Sequence, residues 1–317
     1  MKMENRLTLG SCLTMMKLIT ILFFFASLLS AFAMRELNPV YEMSKVAENY
    51  PSGSTICQLN DKFYVMGDDS AEILVLNEDM QESGRIEIFA KGSEMRLPKD
   101  TKADVESSIV INHKGKPSVL FLGSGSFSPH RDSIFLLDPE LNQVRRIDSQ
   151  KFYDTLRLEV NALNIEAAAM FDEELLLGLR ANTSHPENYI AIAEIKGLTF
   201  TFKRKILIQS SLQNAGISGM DYHKDEDILF ITFSTEDTSN AYDDGQIGES
   251  YLAFVTDARS VLKDEKLVLN RIIKLSDLSP EFRNQKIESV SLMNAHRKLM
   301  LVADDDKGQT KIFTISY

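Results

Sequence analysis

The runs Val105-Glu-Ser-Ser-Ile-Val-Ile-Asn112, Ser118-Val-Leu-Phe-Leu-Gly123, Asp132-Ser-Ile-Phe-Leu-Leu137 and Gln143-Val-Arg-Arg-Ile147 read as four short β-strands joined by turns. Turn residues recur about every eight to twelve positions, the spacing of a sandwich, a barrel or a propeller. The second run contains Val119-Leu-Phe-Leu122, apolar on both strand faces. Such a strand is covered from both sides.

Working outward, the same quartet repeats along the chain, and a repeat decides the fold before any single element does. Upstream lie 53–59, 62–67, 72–77 and 85–90; downstream lie 165–171, 174–179, 189–195 and 200–208, then 217–223, 228–233, 251–256 and 271–275. The last group, 287–293, 298–303 and 311–316, has only three runs, and 39–45 is the spare strand that would complete it. The second run of each group is again the most apolar, as in Phe63-Tyr-Val-Met66, Ile228-Leu-Phe-Ile231 and Leu299-Met-Leu-Val302. The expected fold is therefore all-β: a five-bladed β-propeller, six blades being the alternative count, whose N-terminal strand enters the last blade, closes the ring and covers an edge. Two stacked sandwiches are the competing architecture; the grouping in fours and the spare strand weigh against them. The lack of tryptophan argues against a WD-type repeat. Short helices are expected at 149–159 and 278–284.

Residues 1–33 stand apart. Lys17 precedes the apolar run Leu18-Ile-Thr-Ile-Leu-Phe-Phe-Phe-Ala-Ser-Leu-Leu29, and Ala31-Phe-Ala33 supplies small residues for cleavage. This is the pattern of a secretory signal peptide, and the run is short for a membrane anchor. The expected product is 34–317, a single propeller domain, secreted or periplasmic, with no membrane span after cleavage. Three basic residues and one acidic residue leave with the signal, so 32 basic face 45 acidic. A surface that acidic disfavours nucleic acid and anionic membranes. Cys57 is then the only cysteine, which excludes an intramolecular disulfide, and a domain of this size buries enough core without one. A monomer is expected.

Chemistry concentrates where the first strand of each group begins. Val105-Glu106-Ser107, Ile165-Glu166-Ala167 and Ile287-Glu288-Ser289 share an apolar–Glu–small triplet, while Ser52-Gly53-Ser54 and Ile217-Ser218-Gly219 put Gly53 and Ser218 at the glutamate position. First strands line a propeller's channel, so Glu106, Glu166 and Glu288 should face one another at one height. At a separation of ~5 Å and an effective dielectric of ~20, each pair repels by about 3 kcal/mol. Three pairs approach the stability of a whole domain. A hard divalent cation, Ca2+ by preference, would offset this through oxygen ligands. Two alternatives stay open: an arginine or lysine network, with Arg180 its best candidate, and carboxylates solvated in a wet channel.

First and second strands are antiparallel, so the ends of the second strands share the glutamate face. They carry Gly67-Asp68-Asp69-Ser70, Gly123-Ser-Gly-Ser126, Arg180-Ala-Asn182, Ser234-Thr-Glu-Asp237 and Ala303-Asp-Asp-Asp306, and the insertions 127–131, 181–188 and 237–250 lie there too. Loops on one face are where repeat folds place function. Ser124, Ser126 and Arg131, with Arg180 and Asn182, are the candidate ligand-binding residues for a small anionic ligand; a flexible turn is the plainer reading of the Gly-Ser stretch, which lacks the lysine of a P-loop. The five histidines show no metal-ligand spacing, and no nucleophile elbow is present.

Asp104-Val-Glu106, Asn164-Ile-Glu166-Ala-Ala and Lys286-Ile-Glu288-Ser-Val, with Gly67-Asp-Asp-Ser and Ala303-Asp-Asp-Asp, resemble exported bacterial propellers of unassigned function, distantly similar to the phytase-like or esterase-like propellers. The likeness spans the mature chain. Two features depart from the phytase-like pattern: Ser or Ala replaces the glycine of its Asp-x-Glu-Gly motif, and such propellers tend to six blades. The resemblance implies a Ca2+-compatible acidic mouth that holds an anionic ligand, and five-bladed apyrase-type propellers are similar in gathering glutamates round a central cation. Two functions follow. The preferred one is a propeller that binds a ligand or a protein partner at this mouth without turnover. The other is a Ca2+-dependent phosphoester hydrolase, with metal on Glu106, Glu166 and Glu288 and with Asp68, Asp69, Asp304 and Asp305 as candidate bases.

Overall fold

The apolar second runs become the second strands of five separate sheets. A computed structural model describes residues 37–89, 96–236, 247–293, 297–305 and 308–317. Within it Pro39–Tyr317 is one compact unit. Its first blade is β2 (Gly53–Leu59), β3 (Lys62–Gly67), β4 (Glu72–Asn77) and β5 (Glu82–Glu87); β1 (Val40–Ala47) is reserved for the last. The second blade is β6 (Val105–His113), β7 (Lys116–Gly123), β8 (Ile134–Asp138) and β9 (Gln143–Ile147). The third is β10 (Ile165–Phe171), β11 (Glu174–Leu179), β12 (Tyr189–Lys196) and β13 (Thr199–Gln209). The fourth is β14 (Ala215–His223), β15 (Ile228–Glu236), β16 (Ile247–Thr256) and, beyond β17 (Lys266–Val268), β18 (Ile272–Lys274). The fifth is β19 (Lys286–Met293), β20 (Lys298–Asp304), β21 (Thr310–Ser316) and β1, in the order β19-β20-β21-β1. This is the expected five-bladed propeller.

Strand periodicity explains why the second strands carry no polar face. Successive side chains point to opposite faces. Leu120 and Leu122 of β7 pack with Leu175 and Leu177 of the third blade. Val119 and Phe121, which alternate with them, pack with Tyr64 and Met66 of the first. Each such side chain contributes about 1.5–3 kcal/mol by leaving water, and the stack of blades holds through these contacts. The first strands meet round the axis: β2 lies against β6 and β19, β6 against β10, β10 against β14, and β14 against β19.

Ring closure follows the expected route. β1 pairs antiparallel with β21 from Val40↔Ser316 to Ala47↔Thr310, so the strand read at 39–45 is the outer strand of the last blade. Three details differ from the sequence reading. β5 begins earlier than the run at 85–90, because Arg85 and Ile86 are mid-strand partners of Leu74 and Ile73. β17 joins the third blade parallel to β13 as a fifth strand, a three-residue element too short for a pattern to reveal. Helix α1 (Gln150–Glu159) matches its expected place, α2 (Ala258–Val261) was not expected, and the helix expected at 278–284 divides into α3 (Leu275–Leu278) and a 3-10 turn at Pro280–Phe282. No helix among the described residues is long and apolar enough to cross a membrane. The expected signal at 1–33, and 237–246 of the fourth-blade insertion, lie outside the described residues.

Candidate functional site at the channel mouth

Every first strand skips one residue in its pairing with the second strand, at the same place. The skips fall between Gly53 and Thr55, Val105 and Ser107, Ile165 and Ala167, Ile217 and Gly219, and Ile287 and Ser289. A β-bulge puts two residues opposite one and re-aims the extra side chain. The extra residues are Ser54, Glu106, Glu166, Ser218 and Glu288, so the repeated triplet of the sequence is the signature of a bulge. One assignment needs correction. Gly53 pairs with Gly67 as Val105 pairs with Gly123, so Ser54, not Gly53, shares the glutamate level. Gly53 occupies the slot that is apolar elsewhere because a Cβ there would lie 2.5 Å from Thr310 Cγ2 and 2.8 Å from Val302 Cγ2. The expected crowding after the bulge is also present: a Cβ on Gly219 would lie 2.7 Å from Ser289 Cα of the next blade.

The three bulge glutamates act on one another, and basic groups have moved in among them. Glu166 accepts a hydrogen bond from Asn164 Nδ2 at 2.7 Å and lies 4.0 Å from Arg180 Nη1. Glu288 is 3.0 Å from Lys286 Nζ. Glu106 makes no hydrogen bond or ion pair of its own among the described residues. Burial, and then the charges of Glu166, Asp104, Asp68 and Glu288, push its carboxyl well above the usual range. Close by, Lys102 is 8 % exposed; its ammonium lies 2.8 Å from Asp104 Oδ1 and bonds Asp68 as well. Burial opposes the charge on Lys102, but Asp68, Asp104 and Glu106 more than offset this and raise its pKa. Asp104 Oδ2 also accepts from Arg131 Nη1 at 2.8 Å and from Ser124 Oγ at 2.5 Å. Asp69 pairs with Arg96; burial first, and then Asp68, raise its pKa against that partner. Asp304 acts on the same guanidinium.

Among the described residues these linked groups comprise seven carboxylates (Asp68, Asp69, Asp104, Glu106, Glu166, Glu288 and Asp304) and five cations (Arg96, Lys102, Arg131, Arg180 and Lys286). Buried charges persist only when paired, and this network leaves an excess of negative charge centred on Glu106. Oxygens of Asp68, Asp104 and Glu106 lie within 4.8 Å of one another, close enough to share an ion. The cluster shares Glu106 with the trio expected from sequence; Glu166 and Glu288 stand outside it, each with its own basic partner. Asp68 Oδ1, buried, has no hydrogen-bond partner among the described residues.

The other expected residues separate. Ser124, Ser126 and Arg131 do converge, and they converge on Asp104: Arg131 Nη1 also donates to Ser126 Oγ at 2.8 Å. Arg180 donates to Ile217 O at 3.3 Å and to Ser234 Oγ at 3.0 Å, which ties the third blade to the fourth. Asn182 caps a turn through the backbone N–H groups of Ser184 and His185. Asp305 accepts from Gln309 N at 3.0 Å in an exposed turn. Lys102 and Lys286 were not anticipated. Their signal in the sequence is proximity alone, a lysine two residues before Asp104 and another two before Glu288.

Residues 49–316 match the model of a family of unknown function (DUF6929). A search of curated proteins returned no match. Among solved structures, the crystal structure of Myxococcus xanthus glutaminyl cyclase is similar with a TM-score of 0.52 at 7 % identity, over 87 % of this chain and 95 % of that one. A member of the duf4221 family from Bacteroides vulgatus gives a TM-score of 0.41 at 11 % identity, over 88 % and 98 %. Likeness at such identity is a likeness of fold.

Proposed function

We propose that this chain, which belongs to the DUF6929 family of unknown function, is a binding propeller: it takes a hard divalent cation, Ca2+ by preference, at Asp68, Asp104 and Glu106, and holds a ligand or partner at that mouth without turnover. The observation that carries this reading is Glu106. It has no donor of its own among the described residues, its carboxyl is pushed up by burial and four neighbouring carboxylates, and it stands within ion-sharing distance of Asp68 and Asp104. A group so placed gains from a proton or from a cation, and a divalent cation cancels the excess charge of the whole network. Lys102 already lies on Asp68 and Asp104, so the cation competes with an ammonium, and its affinity is modest by design of the site.

Export through a signal peptide at 1–33 belongs to the same proposal, since an extracellular or periplasmic medium supplies Ca2+ at levels a modest site can use. The monomeric state belongs to it as well. The phosphoester-hydrolase alternative fares less well. Phosphoryl transfer needs positive charge aimed at the substrate, and Arg131 and Arg180 are spent on Asp104, Ile217 and Ser234. Two of the candidate bases, Asp68 and Asp69, are paired with Lys102 and Arg96.

The test is a thermal melt of residues 34–317, stripped of metal, with and without added Ca2+, beside Glu106→Gln. Ca2+ at about 100 times its Kd adds about 2.7 kcal/mol, or roughly 5 °C in a chain of this size. The shift should vanish in Glu106→Gln. No shift in the wild type, with the variant equally or more stable, would leave the lysine and arginine network as the whole account and remove the cation.

A further inference from the structure

On the same face as the mouth, a second recess of about 310 Å³ opens between the third and fourth blades. It is lined by the loop 181–188, the end of β13 and the connection 210–214, with Leu207 and Leu212 among its apolar residues and Asn182, Gln209, Ser210 and Asn214 among its polar ones. Its size lies at the lower end of small-molecule sites.

The charges near this recess are already committed. The guanidinium of Arg180 is turned to Ile217 and Ser234 and to Glu166. Glu187 accepts from the hydroxyl of Tyr189. The neutral groups are in the opposite condition. The side chains of Gln209, Ser210 and Asn214 make no hydrogen bond within the protein, and nor does the amide nitrogen of Asn182, among the described residues. Carboxamides and hydroxyls offer donors and acceptors together, so they match a ligand that does the same.

The walls are preorganised, which limits what binding must spend on ordering them. Asn188 is the reason. Its Oδ1 accepts from Ala181 N at 2.9 Å and Ile217 N at 2.8 Å, and its Nδ2 donates to Ala215 O at 2.8 Å. One buried amide therefore fastens the loop 181–188 to the fourth blade. Backbone groups cannot add a peptide here as an extra strand. Leu207 N donates to Glu265 O, Ile208 N to Asn188 O, and Gln209 O accepts from Leu269 N, so the edge of β13 is closed by β17 and its neighbours. Recognition is left to side-chain amides and hydroxyls beside the two leucines.

We infer that this recess binds a neutral saccharide of one or two rings, its hydroxyls on Asn182, Gln209, Ser210 and Asn214 and its C–H face on Leu207 and Leu212. The site is independent of the cation proposed at the channel mouth. The experiment is a glycan array of neutral, sialylated, sulfated and phosphorylated glycans, probed with residues 34–317, and followed by titration calorimetry on the best neutral disaccharide. Binding to neutral glycans is expected, weakened at least tenfold by Gln209→Ala combined with Ser210→Ala, and unchanged by Glu106→Gln or by chelators. Melting temperatures of the double variant should match the wild type, since neither side chain is buried. No binding to any neutral glycan, preference for the anionic ones, or a double variant that folds and binds as the wild type does would each overturn the inference. Loss of glycan binding in Glu106→Gln would place the ligand at the channel mouth instead and overturn it as well.

Discussion

Replacing Lys102 with methionine keeps most of the buried stem and removes only the charge, so it isolates what the ammonium does. In the wild type that ammonium lies 2.8 Å from Asp104 Oδ1 and bonds Asp68. At an effective dielectric of ~20 the contact to Asp104 alone is worth about 6 kcal/mol before desolvation. Desolvation offsets much of that, and breaking a buried pair from one side costs about 3–5 kcal/mol net. At roughly 2 °C per kcal/mol for a chain of this length, Lys102→Met should melt about 6–10 °C lower at pH 7. Two further readings make the result specific. Lowering the pH to 5 should recover part of the loss, because Glu106, already raised by its neighbours, protonates more readily still. Added Ca2+ should recover more than it adds to the wild type, because the competing ammonium is gone. Differential scanning calorimetry on the metal-stripped protein measures all three. A variant that melts within about 1 °C of the wild type would refute the view that Lys102 holds the network together, and indifference to Ca2+ in that variant would refute the cation.

Two more predictions concern other parts of the propeller. Asp221 lies at a cavity of about 170 Å³ lined by all five first strands, and burial raises its pKa from 3.8 to about 6 although it accepts from the Leu292 and Tyr222 N–H groups. A folded-state pKa above the unfolded one means the folded state takes up the proton first as pH falls, so this group adds stability on acidification from about 6 toward 3.8, up to about 3 kcal/mol; Asp221→Asn should flatten denaturant midpoints across that window, and a midpoint-against-pH curve identical to the wild type would count against it. Gly67→Ala places a Cβ 2.6 Å from both Pro51 O and Ser52 O, backbone atoms that cannot turn aside, and should cost about 1–3 kcal/mol in urea denaturation; an unchanged midpoint would mean the entry to β2 is looser than its hydrogen bonds suggest.

The ring of blades was legible because its cause is repetitive. Middle strands such as Val119–Leu122 must be apolar on both faces, and that leaves a mark no single blade could leave alone. The glutamate level was legible for the same reason, through Val105-Glu106-Ser107 and its two counterparts. The failure at Gly53 is instructive: where Thr310 and Val302 crowd the strand, the apolar letter disappears, and an alignment by apolar letters slips by one. Lys102 and Arg96 were hidden because they come from connecting segments, which have no period, and Lys286 because it opens β19 just ahead of the repeated triplet. Long side chains reach a charge from many backbone positions, so the sequence fixes their presence and not their direction. β17 was hidden because its three residues derive their order from the edge of β13.

The five bulges also bear on how a propeller of this kind can change. Each bulge detaches one side chain from the ladder while the residues before and after it keep their partners. The detached positions therefore act as interchangeable sockets, now filled by two serines and three glutamates. Exchanging an occupant alters the formal charge of the ring by whole units and leaves the sheets in register. Selectivity at the axis is thus adjustable one blade at a time, without renegotiating the fold that carries it.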